Sequence, residues 1–480
     1  MRHLILRYLK TSLWSLPLLM SCSGAGSKVD SSPLNRPSEL AAEGPQQTSF
    51  PELTIAPLRQ DLQGIQQAID ICSCLGGGHV EVAAGLYLCD GPIVLRSNVD
   101  LHLDSAATIL FSGEPKDFLP VVETRFEGVD LLNYSPMIYA NGAENVAITG
   151  RGTIDAQGSR VFAAWGKVAG DEGFEENIHG THGETVEMAD VNLLRQLGSE
   201  LAPLKKRVFG EGHYLRPTCV EFRECSRVLI EGITLKDSPF WCIHPLYSSD
   251  VIVRGVTIDS HNPNNDGCDP ESSTRVLIED CNFMCGDDAV AIKSGRDADG
   301  RQVGRPSSNI VIRRCLFNSE CNGLCIGSEM SGGVENVVMD SVEIASVKNA
   351  LLFKSNKDRG GYIRNVAVSN IQIQHVEGAV LRFENNYFGY RGGNCPSQYE
   401  NFAIENVHAK ESNGYAIYFD GLEELPMQNI AVSNFHVDRA ARPYYIYNVQ
   451  NYVFDNCSVN GESIPAILAP DAERQSCDVW

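Results

Sequence analysis

The sequence of 480 residues predicts an all-β protein: a single-stranded right-handed parallel β-helix over residues 55–475, closed at its start by an N-terminal capping helix. Three observations predict it. A short phrase recurs from about residue 140 onward, as ENVAI, SRVLI, SDVIV, TRVLI, SNIVI, ENVVM, RNVAV, ENFAI, QNIAV and QNYVF. Its third residue falls at Val146, Val228, Val251, Val276, Ile310, Val337, Val366, Phe402, Ile430 and Tyr452, and successive gaps include 23, 25, 27 and 29 residues. A period of roughly 20–50 residues marks a solenoid. Second, each phrase alternates as a strand does, and the units leave no room for a helix apiece. One strand cannot bury its inner face alone, but strands stacked at roughly 4.8 Å can. Third, Asn often precedes the phrase, where stacked side-chain amides would satisfy backbone groups at turns, and 43 Gly with 8% aromatic residues suit turn-rich β structure. Val, Ile, Leu and Cys should face inward.

The elements follow in order. Residues 1–21 carry Arg2, Arg7 and Lys10, then the apolar run SLWSLPLLM and Ser21. A basic start, a short apolar region and a small residue before the cut read as a secretory signal, too short to span a bilayer. Leu19-Met20-Ser21-Cys22 resembles a bacterial lipobox, which makes Cys22 the expected lipidation site of a Gram-negative lipoprotein. By the same resemblance, Ser23 favours sorting to the outer membrane, and the lack of an acidic run favours facing the periplasm over display at the cell surface, the alternative. Residues 22–54 are rich in Ser, Pro and Gly and read as a tether. In DLQGIQQAIDICSCLGGG, Ile65, Ala68, Ile69 and Cys72 recur at helical spacing and three glycines end the run. Such a helix would cover the open N-terminal edge of the solenoid. Between Val146 and Val228 the period breaks at a polar, partly helical insertion, about residues 161–216. Insertions in solenoids gather on one face, often the binding face, so this one should wall a cleft.

Formal net charge is −22, and about −25 once residues 1–21 are removed, with 36 Lys+Arg against 61 acids. That argues against nucleic acid, which needs phosphates neutralised by Lys and Arg, and mildly against anionic membrane surfaces beyond a lipid anchor. An anionic substrate stays open, because local cations can outweigh the global field in a cleft. Of 16 Cys, 15 remain after Cys22, an odd number that cannot form a complete disulfide set. They read as buried thiols packing as small hydrophobes. The C-x3-C pairs Cys281/Cys285 and Cys321/Cys325 lack partners at zinc spacing, so neither a metal nor another cofactor is expected.

Residues 264–288, NNDGCDPESSTRVLIEDCNFMCGDD, hold the chemistry. Asp266 and Asp287 are 21 residues apart, about one coil, so they should stack on neighbouring rungs. Asp288 would point to the opposite face unless the chain bends beside Gly286. Three carboxyls so packed cannot all ionise cheaply. A protonated acid beside ionised carboxylates is the division of labour that glycoside hydrolysis needs.

From about residue 58 to beyond 390 the chain resembles family 28 of the glycoside hydrolases, the polygalacturonase-like enzymes. The resemblance rests on DLQGIQQAIDICSCLGGGHVEVAAGLYL, GRGTIDAQG, SPFWCIHP, NNDGCDPESS, GDDAVAIKSG, CIGSEMSGG and FKSNKDRGG, in that order. It implies a pectin-lyase-like solenoid and inverting hydrolysis of a pectic oligosaccharide. Asp287 matches the family's general acid, and Asp266 and Asp288 the pair that activates water. Asn264 matches the Asn of the family's Asn-Thr-Asp motif, with Asn265 where Thr is usual. Lys354 matches a Lys that binds a galacturonate carboxylate, and Tyr387 a Tyr of the same subsite. Lys293 and Arg296 either add charge nearby or stand solvated. His244 is either a cleft residue or a satisfied structural His.

Two departures stand out. The family's Gly-His-Gly is replaced in the stretch Glu320 to Gly323, which contains no His, and its Arg-Ile-Lys has become Leu352-Phe353-Lys354. Burying an unpaired carboxylate against Leu and Phe is costly, so a neutral sugar beyond the scissile bond, such as rhamnose in rhamnogalacturonan, is expected. A walled cleft points to exo action. Two rivals remain: a lyase on the same scaffold, with DADG at 297–300 read as a turn rather than a calcium loop, and a non-catalytic glycan-binding β-helix. A solenoid of this kind is expected to be a monomer.

Overall fold

The structure is a computed structural model and describes residues 44–167 and 185–467. The signal segment, Cys22, the tether before residue 44, residues 168–184 of the insertion and the end of the helix beyond 467 lie outside the described residues.

The chain winds as a right-handed parallel β-helix with three faces. On the first face, all ten phrase residues stand in one register column, each paired with the next: Val146, Val228, Val251, Val276, Ile310, Val337, Val366, Phe402, Ile430 and Tyr452. The second face stacks Ile154, Leu235, Ile258, Phe283, Phe317, Ile344 and Ile373. The third stacks Ile138, Val220, Ile243, Cys268, Val290, Leu324, Leu351, Leu381 and Ile417. These columns point inward and merge into one continuous core. Burying a side chain of this size stabilises by roughly 1.5–3 kcal/mol, and stacking lets every coil bury the next.

Asparagine shapes the turns. Asn309, Asn336, Asn365, Asn401 and Asn429 each hold a left-handed backbone, with φ between 55° and 63°. Asn tolerates that region where most residues do not. Each amide after Asn309 donates to the one before it at 3.0–3.1 Å, forming a ladder along the helix.

The capping helix α1 spans Leu62–Cys74, with Asp61 accepting from the Gly64 N–H at 2.9 Å as its N-cap. It buries Ile65, Ala68, Ile69 and Cys72 in the core. Three glycines with positive φ follow, and a Cβ at Gly77 would meet the Asn98 carbonyl oxygen at 2.2 Å. The tether expected to run free to residue 54 is docked from Gln46 onward. Gln46 donates its N–H to Asp250, Ser49 and Asn145 exchange two hydrogen bonds, and Thr54–Ile55 pairs with His79 and Val80.

The insertion contributes α2, Phe162–Trp165, and α3, Met188–Ser199. Helix α3 packs on a second core of Phe126, Val129, Leu131, Phe209, Leu215 and Phe240. A short helix α4, Asp297–Val303, occupies the stretch expected as a turn, and its Asp297 and Asp299 are ion-paired to Arg359 and Arg207. All 14 cysteines of the described residues are free thiols, most of them buried.

Candidate active site

The third face and the turn that leads into it build the site. The strand Asn282–Cys285 ends the second face and Val290–Ile292 begins the third. Asp287 and Asp288 sit in the turn between them, which frees both from strand alternation. Gly286 makes that turn possible: a Cβ there would meet the Asn262 carbonyl oxygen at 2.5 Å. The register differs from the spacing argument by one residue. Cys268 bridges Val290, so two positions earlier Asp266 stands over Asp288, while Asp287 stands beside Asn265. All three carboxyls line one cleft of about 480 Å³.

Their protons are distributed unevenly. Burial pushes Asp287 up to about 6, helped by the charge of Asp288. Its carboxylate accepts from the Asp288 N–H at 2.9 Å, and Asn264 Nδ2 lies at 3.5 Å. Asp288 is also buried, but Lys354 and Lys293, with donation from Asn322, outweigh that and hold it below the usual range. Lys354 Nζ lies 3.5 Å from Asp288 Oδ2. Burial and the neighbouring Asp269 push Asp266 well above its ordinary value, although Lys293 stands 3.6 Å away. Two carboxyls of the three therefore hold protons readily and one stays charged.

Asn264 lines the cleft with its oxygen fixed by Arg216 Nη2 at 2.7 Å. Asn265 is buried behind it, accepting from Ser260 and the Asn262 N–H and donating to the Ser238 and Phe240 carbonyls. Lys293 and Arg296 are buried rather than solvated. Lys293 reaches Asp266 and Glu329 and sits 4.7 Å from the Trp241 ring centroid, while Arg296 joins Glu127 and Glu329, each at 2.9 Å. Lys354 lies 5.0 Å from the centroid of Tyr387, and both line the cleft. His244 does not reach the cleft, which corrects its reading as a substrate contact. It is fully buried, its ring nitrogens 3.1 Å from Glu221 and Glu271. Despite burial, those two acids push it up to about 9, so it is a charged structural His behind Trp241.

Several cleft residues were not singled out from sequence. Asn322, the first residue of the strand Asn322–Ile326, lies in the stretch that lacks the family's His, and its amide donates to Asp288 Oδ1. Glu329 and Arg359 lie within the motifs CIGSEMSGG and FKSNKDRGG, but only folding shows them facing Arg296, Lys293 and Asp297. Glu187, Arg195 and Arg216 come from the insertion and its flank, where no repeat marks a position. Arg216 pairs with Glu187 at 2.8 Å, and Arg195 with Glu127. Met188, Val191 and Arg195 of α3 line one wall, and Tyr387, Phe388 and Arg391 another. The walls join where Arg391 Nη2 donates to Asn192 Oδ1 at 2.9 Å. Among the described residues, Asp287, Asp288 and Cys321 are the group with three possible metal donors within 4.8 Å of one another, and two lysines compete for its carboxylates.

Comparison with known proteins places this geometry. The sequence profile described as Glycosyl hydrolases family 28 matches residues 206–458. The crystal structure of an exopolygalacturonase from Thermotoga maritima is 38% identical with a TM-score of 0.83, covering 89% of this chain and 96% of that one. A probable polygalacturonase of Vitis vinifera is 28% identical over 383 residues, 76% of this chain and 68% of its own. An endo-polygalacturonase of Pectobacterium carotovorum is 27% identical over 348 residues, 69% of this chain and 73% of its own. With more than half of the chain inside the profile and the three carboxyls within that span, the protein belongs to glycosyl hydrolases family 28 and is a glycoside hydrolase.

Proposed function

We propose that the enzyme removes galacturonate from the end of a pectic chain by inverting hydrolysis. One observation carries this: a protonatable Asp287 and an ionised Asp288 share a cleft with Asp266. In the reading, Asp287 protonates the glycosidic oxygen, which leaves with its electron pair, while Asp288, the ionised member, takes a proton from the attacking water and Asp266, holding a proton of its own, helps to orient that water. A carboxyl near 6 keeps its proton at mildly acid pH, as a general acid must. Lys354, Arg359, Arg391 and other cations in the cleft suit an anionic sugar in a protein of net charge −22. The hydrogen bond that bridges the two walls at Arg391 and Asn192 supports exo action, since a cleft obstructed on one side favours chain ends. The exopolygalacturonase from Thermotoga maritima is similar over nearly its whole length, which supports the same reading.

A second reading concerns the sugar beyond the scissile bond. Leu352 lines the cleft and packs with Ala291 and Cys325, an apolar patch where the family pattern has Arg. That favours a neutral aglycone such as the rhamnose of rhamnogalacturonan. Product analysis over time on homogalacturonan and on galacturonate-ended rhamnogalacturonan oligomers separates the possibilities. Free galacturonate from the first minutes is expected. Early mixed-length oligomers would contradict exo action, unsaturated products would indicate a lyase, and much faster cleavage of homogalacturonan would remove the neutral aglycone. Export to the outer membrane through Cys22 belongs to the same proposal, and labelling with radioactive fatty acid, lost in Cys22→Ser, tests it.

A further inference from the structure

The register that puts Asp266 over Asp288 continues down the third face. Val290 pairs with Leu324, Leu324 with Leu351 and Leu351 with Leu381, so Asp288, Asn322, Asn349 and Ala379 occupy one column. Hydrogen bonds follow that column. The Ala379 N–H donates to Asn349 Oδ1 at 2.9 Å, Asn349 Nδ2 donates to Asn322 Oδ1 at 2.8 Å, and Asn322 Nδ2 donates to Asp288 Oδ1. An amide side chain can be turned end for end with little change of shape. Here the direction is forced, because a backbone N–H can only donate. Asn349 must give it an oxygen, which turns its NH2 to Asn322. Asn322 must then accept with its own oxygen, which turns its NH2 to Asp288. Both amides are buried, at 1% and 3% exposure.

We propose that Asn349 is a positioning residue of this enzyme. Through Asn322 it fixes a side-chain donor on Asp288 Oδ1, which adds to Lys354 and Lys293 in stabilising the charged carboxylate. The inference rests on the reading of Asp288 as a base. Unlike an imidazole, this relay carries no titrating group of its own. Groups that orient a functional side chain from behind commonly matter by about 10–100-fold.

Two substitutions test it. Asn349→Asp keeps the shape but, once ionised, can only accept, so Asn322 must then turn its NH2 away from Asp288. Asn349→Leu removes the anchor without adding charge. Each is made in the native chain and with Asn322→Ala. In the native background kcat should fall by about 10–100-fold with KM little changed, and the acid limb of the pH profile should move upward. With Asn322→Ala already present, either change should cost nothing further, because residues acting through one another are not additive. A full additional loss, or an unmoved acid limb in both single variants, overturns the proposal. A crystal structure of Asn349→Leu reads the same point without activity: the Asn322 side chain should lose its hydrogen bond to Asp288 while the backbone N–H keeps its own, and an unmoved Asn322 side chain overturns it. Asp288→Asn serves as the control for the underlying reading. If that variant stays active, Asp288 is not the base, whatever Asn349 does to Asn322.

Discussion

Asp287 and Asp288 are neighbours in the chain, yet one is pushed up to about 6 and the other is held down. The difference lies in what each faces: Asp288 meets Lys354 and Asn322, while Asp287 meets burial and the charge of Asp288. The proposed mechanism needs Asp287 protonated and Asp288 ionised, so kcat/KM should fall as pH rises through about 6 and again as it falls through the lowered value of Asp288. Removing the acid in Asp287→Asn should cost about 10²–10⁴ in rate, measured on galacturonate oligomers. The same change bears on stability. A carboxyl whose folded value is raised stabilises the fold below its unfolded value, and that contribution is lost as pH rises through about 6. Asp287→Asn should therefore raise Tm at pH 8 and leave it nearly unchanged at pH 4, as calorimetry would show. His244 works in the opposite surroundings. Raised to about 9 between two buried acids, it stabilises below its unfolded value and loses that contribution above 9. Removing one partner of a buried charged group costs about 3–5 kcal/mol, so His244→Leu should lower unfolding free energy by that order near neutral pH, with KM little altered. Sequence alone could not choose between a cleft and a core His, because both neighbours of its ring, Glu221 and Glu271, come from other coils.

At the scale of elements, the repeated phrase was fully legible, since its ten central residues form one register column. Helical spacing in residues 62–74 was equally readable, because one face alone had to be apolar. The turn of Asp287 and Asp288 is legible in its residues but not in its register. A spacing of 21 suggested Asp266 over Asp287, whereas the bridge from Cys268 to Val290 sets the coil at 22. Loop length decides that offset, and the alternation within strands does not report it. Helix α4 was read as a turn because DADG looks like one, while its acids are held by Arg359 and Arg207 from distant segments. The Asn ladder gives this scale its own test. Asn365 has φ 56° and hydrogen-bonds both Asn336 and Asn401. Asn365→Ala puts a less tolerant residue in a left-handed backbone, which costs roughly 1–2 kcal/mol, and it breaks two ladder bonds. Urea unfolding should show a loss of at least that size with the cleft's activity retained.

For the whole molecule, the solenoid carries its site on one edge because coils differ only in their turns. Interior columns of Val, Ile, Leu and Phe repeat from coil to coil, so acids at Asp266, Asp287 and Asp288 can be added in a turn without disturbing the core. The walls come from segments that break the repeat: α3 in the insertion and the loop at Tyr387–Arg391. A break in period announces such a segment but not its contacts, which is why Arg195, Arg216 and Arg391 escaped sequence reading while the three acids did not. Inverting exo-hydrolysis by Asp287 and its neighbours fixes which anomer is released first, and proton NMR of the newly released sugar reads that anomer. Galacturonate oligomers are mixed with the native enzyme and, separately, with Asp287→Asn, and spectra are taken before the anomers equilibrate. Free galacturonate should appear first as the β anomer and be absent with Asp287→Asn. Release first as the α anomer, or undiminished release by Asp287→Asn, would contradict that mechanism.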